Sequence, residues 1–233
     1  MTEIVTLNRL WFDTYWPSFR LHVHELLAWG YEDAISKIGQ EHEEEEITGF
    51  ISEAIQERLI SSDCPRWCER YSLKEDNPVP GKGLTGKRRK VPDFIFELTI
   101  APRPWYIFEA KRLRLDKNFR EGYYFGKGLE RFLREEYASK YLEAGMIGYV
   151  QCDTLDNWMG RLKQYLDKDT EKKEPKLHLK SYSQDEQVIG TFPKEWVSKH
   201  IRETGNEITI YHILLDCASK DALPNTDGRA FGH

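Results

Sequence analysis

Nowhere in the 233 residues does an apolar run approach the roughly 20 residues needed to cross a bilayer. Met1-Thr2-Glu3-Ile4-Val5 carries neither the basic cluster nor the long apolar stretch of a secretory leader. These absences speak against a membrane protein and favour a cytoplasmic one. Cysteine is scarce: Cys64, Cys68, Cys152 and Cys217 are scattered over the chain, which does not read as a disulfide framework, so reduced thiols are expected. A basic excess is also missing, with 34 Lys and Arg against 39 Asp and Glu, a net charge of -5. That balance speaks against a constitutive, tight nucleic-acid binder. It does not exclude a site for divalent cations, which is acidic by construction. No Ser-His-Asp set and no Gly-X-Ser-X-Gly elbow is present, and there is no repeat or low-complexity segment.

Hydrophobic residues make up 39% and charged residues 31% of the chain, with seven Trp, twelve Tyr and eleven Phe. This is the composition of an ordinary globular protein, long enough for one domain with a full core. We expect one domain over 1–233, with its core at about 40–216, an N-terminal helical extension at 1–39 and a loose tail at 217–233. Residues 1–20 are aromatic-rich and expected to pack on the core, and a helical period runs from Leu21 to Ile38. Ile47, Phe50, Ile51, Ala54, Ile55 and Leu59 form one apolar stripe, so a second helix follows the acidic run Glu43–Glu46. Strands are expected at 91–100, 105–111, 146–151, 177–182 and 208–216. Helices are expected at 123–143 and 154–167, with a short one at 193–201. The order fits an α/β layer arrangement.

Asp93 stands at the start of one expected strand, and Glu109 and Lys111 lie on the next, across the turn Ala101-Pro102-Arg103-Pro104. Residues two apart on a strand share a face, so Glu109 and Lys111 point the same way while Phe108 and Ala110 face the opposite layer. An antiparallel pairing brings Asp93 beside Glu109. Two adjacent carboxylates are the hard oxygen ligands that Mg²⁺ takes, completed by water and substrate phosphate. A lysine beside them can orient a water or stabilise developing negative charge. Glu44 shares a helix face with Ile47, Ile51 and Ile55 and is directed at the sheet; its neighbours in the run Glu43–Glu46 stay open for the same role.

Pro92-Asp93, fifteen intervening residues and then Glu109-Ala110-Lys111 resemble the signature of the PD-(D/E)XK, or restriction-endonuclease-like, nuclease superfamily. The element order resembles that family's core, with Tyr71-Ser72-Leu73 as the candidate first strand. The resemblance covers about residues 40–216 in layout and only a handful of positions in sequence. It implies a mixed central sheet flanked by helices and an Mg²⁺- or Mn²⁺-dependent deoxyribonuclease, endonuclease rather than exonuclease. In that reading Asp93 and Glu109 bind metal, Glu44 helps through a second metal or a water, and Lys111 positions the nucleophile. The segment from Gly128 through Val150 resembles bacterial proteins of this fold linked to phage defence, which implies a role in restriction or antiviral defence. The alternatives are a non-catalytic nucleic-acid- or protein-binding module of the same fold within a defence complex, and an RNA-cleaving enzyme. Net negative charge suggests a homodimer or a partner protein that helps hold the substrate.

Gly81-Lys82-Gly83-Leu84-Thr85-Gly86-Lys87 has the spacing of a phosphate-cradling loop, but Arg88 stands where a hydroxyl should meet the metal, and a strand follows. A nucleotide site is therefore excluded. Lys82, Lys87, Arg88, Arg89 and Lys90 read equally as phosphate contacts near the active site or as a solvated loop. Gln151, at a strand exit, is a candidate to reach the site or a nucleic-acid backbone. Cys64 and Cys68, with His22 and His24 far upstream, make too thin a set for zinc. His212 alternates with apolar residues and reads as a hydrogen-bonded core histidine.

Overall fold

The computed structural model describes residues 2–75, 77–115, 119–183, 188, 190 and 192–218, with side chains from residue 14 onward except that of Glu121. Most of the tail expected at 217–233 thus lies outside the described residues. Helix α1 runs unbroken over Thr2–Ala34 and joins the two N-terminal segments that the sequence separates. Helix α2 spans Glu44–Ile60. Its start is held by Glu46, whose carboxylate accepts the Glu43 N–H at 2.7 Å, and three glutamates in the first turn complement the helix dipole. Ile47, Ile51, Ala54 and Ile55 are buried in the same cluster as Leu26, Leu27 and Tyr31 of α1. The two helices cross closely at Gly30, where a Cβ would meet Ile55 Cγ1 at 2.3 Å.

The strands are β1 (Tyr71–Lys74), β2 (Phe94–Leu98), β3 (Trp105–Leu113), β4 (Glu143–Val150), β5 (Leu179–Ser183), β6 (Lys194–Ile201) and β7 (Glu207–Asp216). They form one mixed sheet in the order β1-β2-β3-β4-β7-β6-β5. β3, β4 and β7 are parallel neighbours, and the strands on either side pair antiparallel. Helices α1 and α2 cover one face, packing Trp16, Phe19 and Val23 on Phe96, Tyr106, Phe108 and Tyr211. The other face carries α3 (Phe119–Tyr123), α4 (Glu130–Leu133) and α5 (Leu155–Thr170), whose Tyr123, Phe132, Trp158 and Leu162 join Ile95, Ile107, Met146 and Leu214. The protein is therefore an α/β protein with a seven-stranded mixed sheet between helices.

Three sequence expectations are corrected. The helix expected at 123–143 is two short helices and turns. Gly126, Glu135 and Ala138 adopt positive φ (59°, 58° and 49°), which no continuous right-handed helix tolerates. The short helix expected at 193–201 is strand β6. It is paired on both sides, so the sheet overrides a weak helical pattern, and Trp196, Val197 and Ile201 suit a strand. The thiols expected to be reduced include a disulfide: a turn at Pro65 and a 3₁₀ segment, Arg66–Arg70, bring the Cα atoms of Cys64 and Cys68 to 6.3 Å, and the two are bonded. Cys152 and Cys217 are free. Among the described residues no helix is long and apolar enough to cross a membrane.

Candidate active site

The site arises where two neighbouring strands differ in length. β2 begins at Phe94, paired with Phe108, while β3 continues to Leu113. Beyond that pair the β3 backbone donors on the β2 side have no strand to meet, and buried donors must be satisfied. Two carboxylates take them. Asp93 Oδ2 accepts the Ala110 N–H at 2.6 Å, and Glu44 Oε2 accepts the Arg112 N–H at 3.0 Å. Continuing the register one step past Phe94–Phe108 sets Asp93 beside Glu109. Glu44 reaches β3 from the first turn of α2.

Lys111 gathers these groups. Its Nζ lies 2.6 Å from Glu44 Oε1, 2.9 Å from Glu109 Oε1 and 3.8 Å from Asp93 Oδ2. The alternation of β3 puts Glu109 and Lys111 on the face covered by α3–α5. There Lys111 Cδ lies 4.0 Å from where a Cβ on Gly122 of α3 would be. The Asp93 and Glu44 side chains keep 23% of their surface exposed, whereas Glu109 keeps 4%. Solvent therefore reaches the cluster through Asp93 and Glu44.

The electrostatics follow from this crowding. Burial, and then repulsion from Asp93, push the Glu109 carboxyl up to about 8, against the pull of Lys111 and Arg131. Asp93 is raised by burial, with Lys111 and the Ala110 N–H opposing. For Lys111, burial works against the charge, but Glu109, Asp93 and Glu44 outweigh it and the ammonium is held above its ordinary range. Arg131 adds a second cation, 3.6 Å from Glu109 Oε1, and donates to the Tyr137 hydroxyl. Tyr137 in turn donates to the Val91 carbonyl at 2.8 Å, two residues before Asp93.

The donor set fits a hard divalent cation at Asp93 and Glu109. Both carry oxygen ligands, and Glu109 Oε2 is buried with no hydrogen-bond partner. Among the described residues no three metal-ligating side chains close on one point, since the three carboxylates converge on the Lys111 ammonium instead. An ion held here would complete its shell with water or phosphate, the common arrangement for Mg²⁺.

Glu44, Asp93, Glu109 and Lys111 are thus brought together as a cluster. Gln151 is not part of it. It is buried and its amide is used elsewhere, donating to the His42 carbonyl at 2.8 Å and accepting from Arg114 Nε at 2.8 Å. Lys87 and Arg88 sit in an exposed 3₁₀ turn, Gly86–Arg88, followed by β2, so the Gly-rich segment leads into no helix. Arg89 is exposed, Lys90 is half-buried, and Lys82 lies 3.8 Å from Glu135. The disulfide closes the question of zinc at Cys64 and Cys68. His22 stacks on Trp67, and His24 lies 2.9 Å from buried Glu195. Sequence reasoning missed Arg131 and Tyr137 as members of the site. Both lie in a stretch read as helix and singled out only for its resemblance to phage-defence proteins, with no site role given to either, since nothing local distinguishes an arginine that folds back onto a strand. The chain matches no family model, no curated protein and no solved structure.

Proposed function

We propose that this protein is a divalent-cation-dependent nuclease of restriction-endonuclease-like architecture that hydrolyses phosphodiester bonds in DNA. The observation that supports this most is Lys111 Nζ within 3.8 Å of carboxylates from three elements, Glu44, Asp93 and Glu109, at a half-open edge of the sheet. The spacing of Asp93, Glu109 and Lys111, with its resemblance to PD-(D/E)XK nucleases, supports the same reading. Asp93 and Glu109 would hold Mg²⁺ or Mn²⁺, with Glu44 in support. When bound, such an ion supplies charge neutralisation at the phosphate and a more acidic water. Lys111 donates hydrogen bonds to the attacking water or to a phosphate oxygen as negative charge develops there. Arg131 fixes Glu109, and Tyr137 ties Arg131 to the segment that carries Asp93. The stem of Lys111, packed under α3, leaves its ammonium little freedom to leave the cluster.

Glu44 and Asp93 also satisfy backbone donors of β3, a role that needs no catalysis. A binding module of the same fold is therefore the second reading. One assay separates them: supercoiled DNA, linear DNA and RNA are incubated with Mg²⁺ or Mn²⁺ and either the wild-type chain or Lys111→Ala. Cleavage by the wild type, reduced by about 10²–10³ in the variant with its fold intact, is the expected result. Binding of DNA without cleavage makes the protein a binding module. Preferential cleavage of RNA changes the substrate class. Equal cleavage by both proteins removes Lys111 from the active site.

A further inference from the structure

The outer face of α5 carries a pattern that the carboxylate cluster does not use. Arg161, Gln164, Tyr165 and Lys168 recur at i, i+3, i+4 and i+7, one stripe of a helix. With Phe119 and Arg120 of α3 they line a cavity of about 350 Å³. The Arg120 guanidinium carbon lies 5.5 Å from the centre of the Phe119 ring and 5.4 Å from that of the Tyr165 ring, within cation–π range of both. Lys172, 5.3 Å from the Tyr165 ring, and Lys176, 5.7 Å from the Phe125 ring, extend the cationic strip. Two nearby acids pair with cations of this strip, and a third is engaged by a tyrosine. Asp153 pairs with Arg161 at 2.5 Å, Asp167 accepts from Tyr182 at 3.0 Å, and buried Asp169 takes Lys172 and the Leu177 N–H. Arg120 and Lys168 are exposed at the cavity.

The cavity is tied to the active site through α3. Gly122 lies next to Lys111, whose Cδ would be 4.0 Å from a Cβ at Gly122, and Phe119 and Arg120 stand less than one helical turn before it, about 3 to 5 Å along the axis. We propose that this cavity binds a single strand of nucleic acid, with Arg120 and Lys168 on its phosphates and a base beside Arg120 and the Phe119 and Tyr165 rings. The proposal rests on the nuclease reading for the source of the strand. A duplex is read by protruding elements that enter a groove about 12 Å wide. A small concave slot of cations and rings suits an unstacked nucleotide, whose π-face and backbone charge it meets together.

The test is fluorescence anisotropy with labelled dT12 and with a duplex of equal length, in EDTA so that nothing is cut. It compares the wild-type chain with Arg120→Gln/Lys168→Gln. Both side chains reach solvent at the cavity, so the thermal melt should not move. Affinity for the single strand is expected to fall about tenfold. The slope of log K against log salt should shrink by about 1.4, because two phosphates are no longer neutralised. Duplex affinity should change by less than about twofold, since this slot takes unstacked bases. If the melt does shift, Lys168→Gln alone should remove about 0.7 of the slope. Unchanged single-strand affinity and slope overturn the proposal, as does equal loss for both probes or no binding of dT12 by the wild type. The nuclease reading fails separately, in the cleavage assay on the unaltered chain.

Discussion

At the residue scale the cluster is organised by what each oxygen and nitrogen must do. Lys111 Nζ donates to Glu44 Oε1 and to the Ala110 carbonyl and pairs with Glu109 at 2.9 Å, while Asp93, 3.8 Å away, acts through its charge. Removing one partner from such a buried set leaves the others uncompensated, so its members depend strongly on one another. Tyr137, whose hydroxyl also lies beside the Glu109 carboxylate, offers a way to probe this support while leaving the carboxylates themselves in place. Its hydroxyl donates to the Val91 carbonyl and accepts from Arg131. Tyr137→Phe keeps the ring and deletes both bonds. It should cost about 1 to 3 kcal/mol in urea unfolding, because buried partners are left unsatisfied. It should also lower cleavage by more than it changes substrate affinity, since it loosens Arg131 against Glu109. A variant with wild-type stability and rate would remove Tyr137 from the supporting structure.

At the element scale the site depends on α1 and α2 holding Glu44 against β3. That packing runs through Gly30, whose missing side chain admits Ile55 at a distance no Cβ could share. Gly30→Ala should destabilise the protein by about 1 to 3 kcal/mol through overpacking. Gly30→Ala/Ile55→Ala should recover part of that loss, giving a coupling energy in a double-mutant cycle. Additive losses in thermal melts would show that the helices do not meet there as described. On the opposite face α3 is pinned by its last residue: the Tyr123 hydroxyl lies 3.0 Å from His212 Nδ1, and Tyr124, just after it, donates to the Leu162 carbonyl at 2.8 Å. A helix of five residues has little stability of its own. These bonds make α3 a fixed wall for Lys111.

At the scale of the whole molecule, a buried polar chain crosses the sheet. His200 Nδ1 lies 2.7 Å from the Leu177 carbonyl and must donate to it, so His200 Nε2 accepts from the Ser198 hydroxyl at 2.7 Å. Ser198 then accepts from His212 Nε2 at 2.7 Å, and His212 Nδ1 accepts from Tyr123. Both histidines are neutral in this arrangement. Burial lowers His200 to about 4 from its ordinary 6.5, and burial also lowers His212 well below that value. At these two histidines the unfolded chain therefore binds more protons than the folded one between pH 6.5 and 4, while the raised Glu109 carboxyl acts in the opposite sense between about 8 and 4.5. The His200 contribution to stability is complete above about 6.5 and falls as the pH drops through that window, by roughly 3 kcal/mol. Urea unfolding at about pH 7 and about pH 4.5 should show the loss as the difference between the wild-type and His200→Gln profiles. Parallel profiles for the wild type and His200→Gln would mean that His200 is not held neutral in the fold.

The local signals in the sequence were enough for the elements with strong period or composition. The acidic start and apolar stripe of α2, the β-rich segments of β2 and β3, and even the short candidate Tyr71-Ser72-Leu73 are realised as α2, β2, β3 and β1. The alternation along β3 was also legible, and with it the shared face of Glu109 and Lys111, because side chains on a strand alternate whatever packs around them. Glu44 was legible as an acidic residue on the inward face of its helix, although its contacts with Lys111 and the Arg112 N–H were not. Other features were decided only by the tertiary structure. Strand β6 forms where the local pattern suggested helix, because two neighbouring strands supply its hydrogen bonds. The chain breaks at Gly126, Glu135 and Ala138, where turns return Arg131 and Tyr137 to the site. Cys64 and Cys68 meet because a single turn folds them together. The convergence on Lys111 belongs to this second group. Period and composition act over a few neighbouring residues, whereas Glu44, Asp93, Glu109, Lys111 and Arg131 meet only once the end of β2 leaves β3 with donors that other parts of the chain must satisfy.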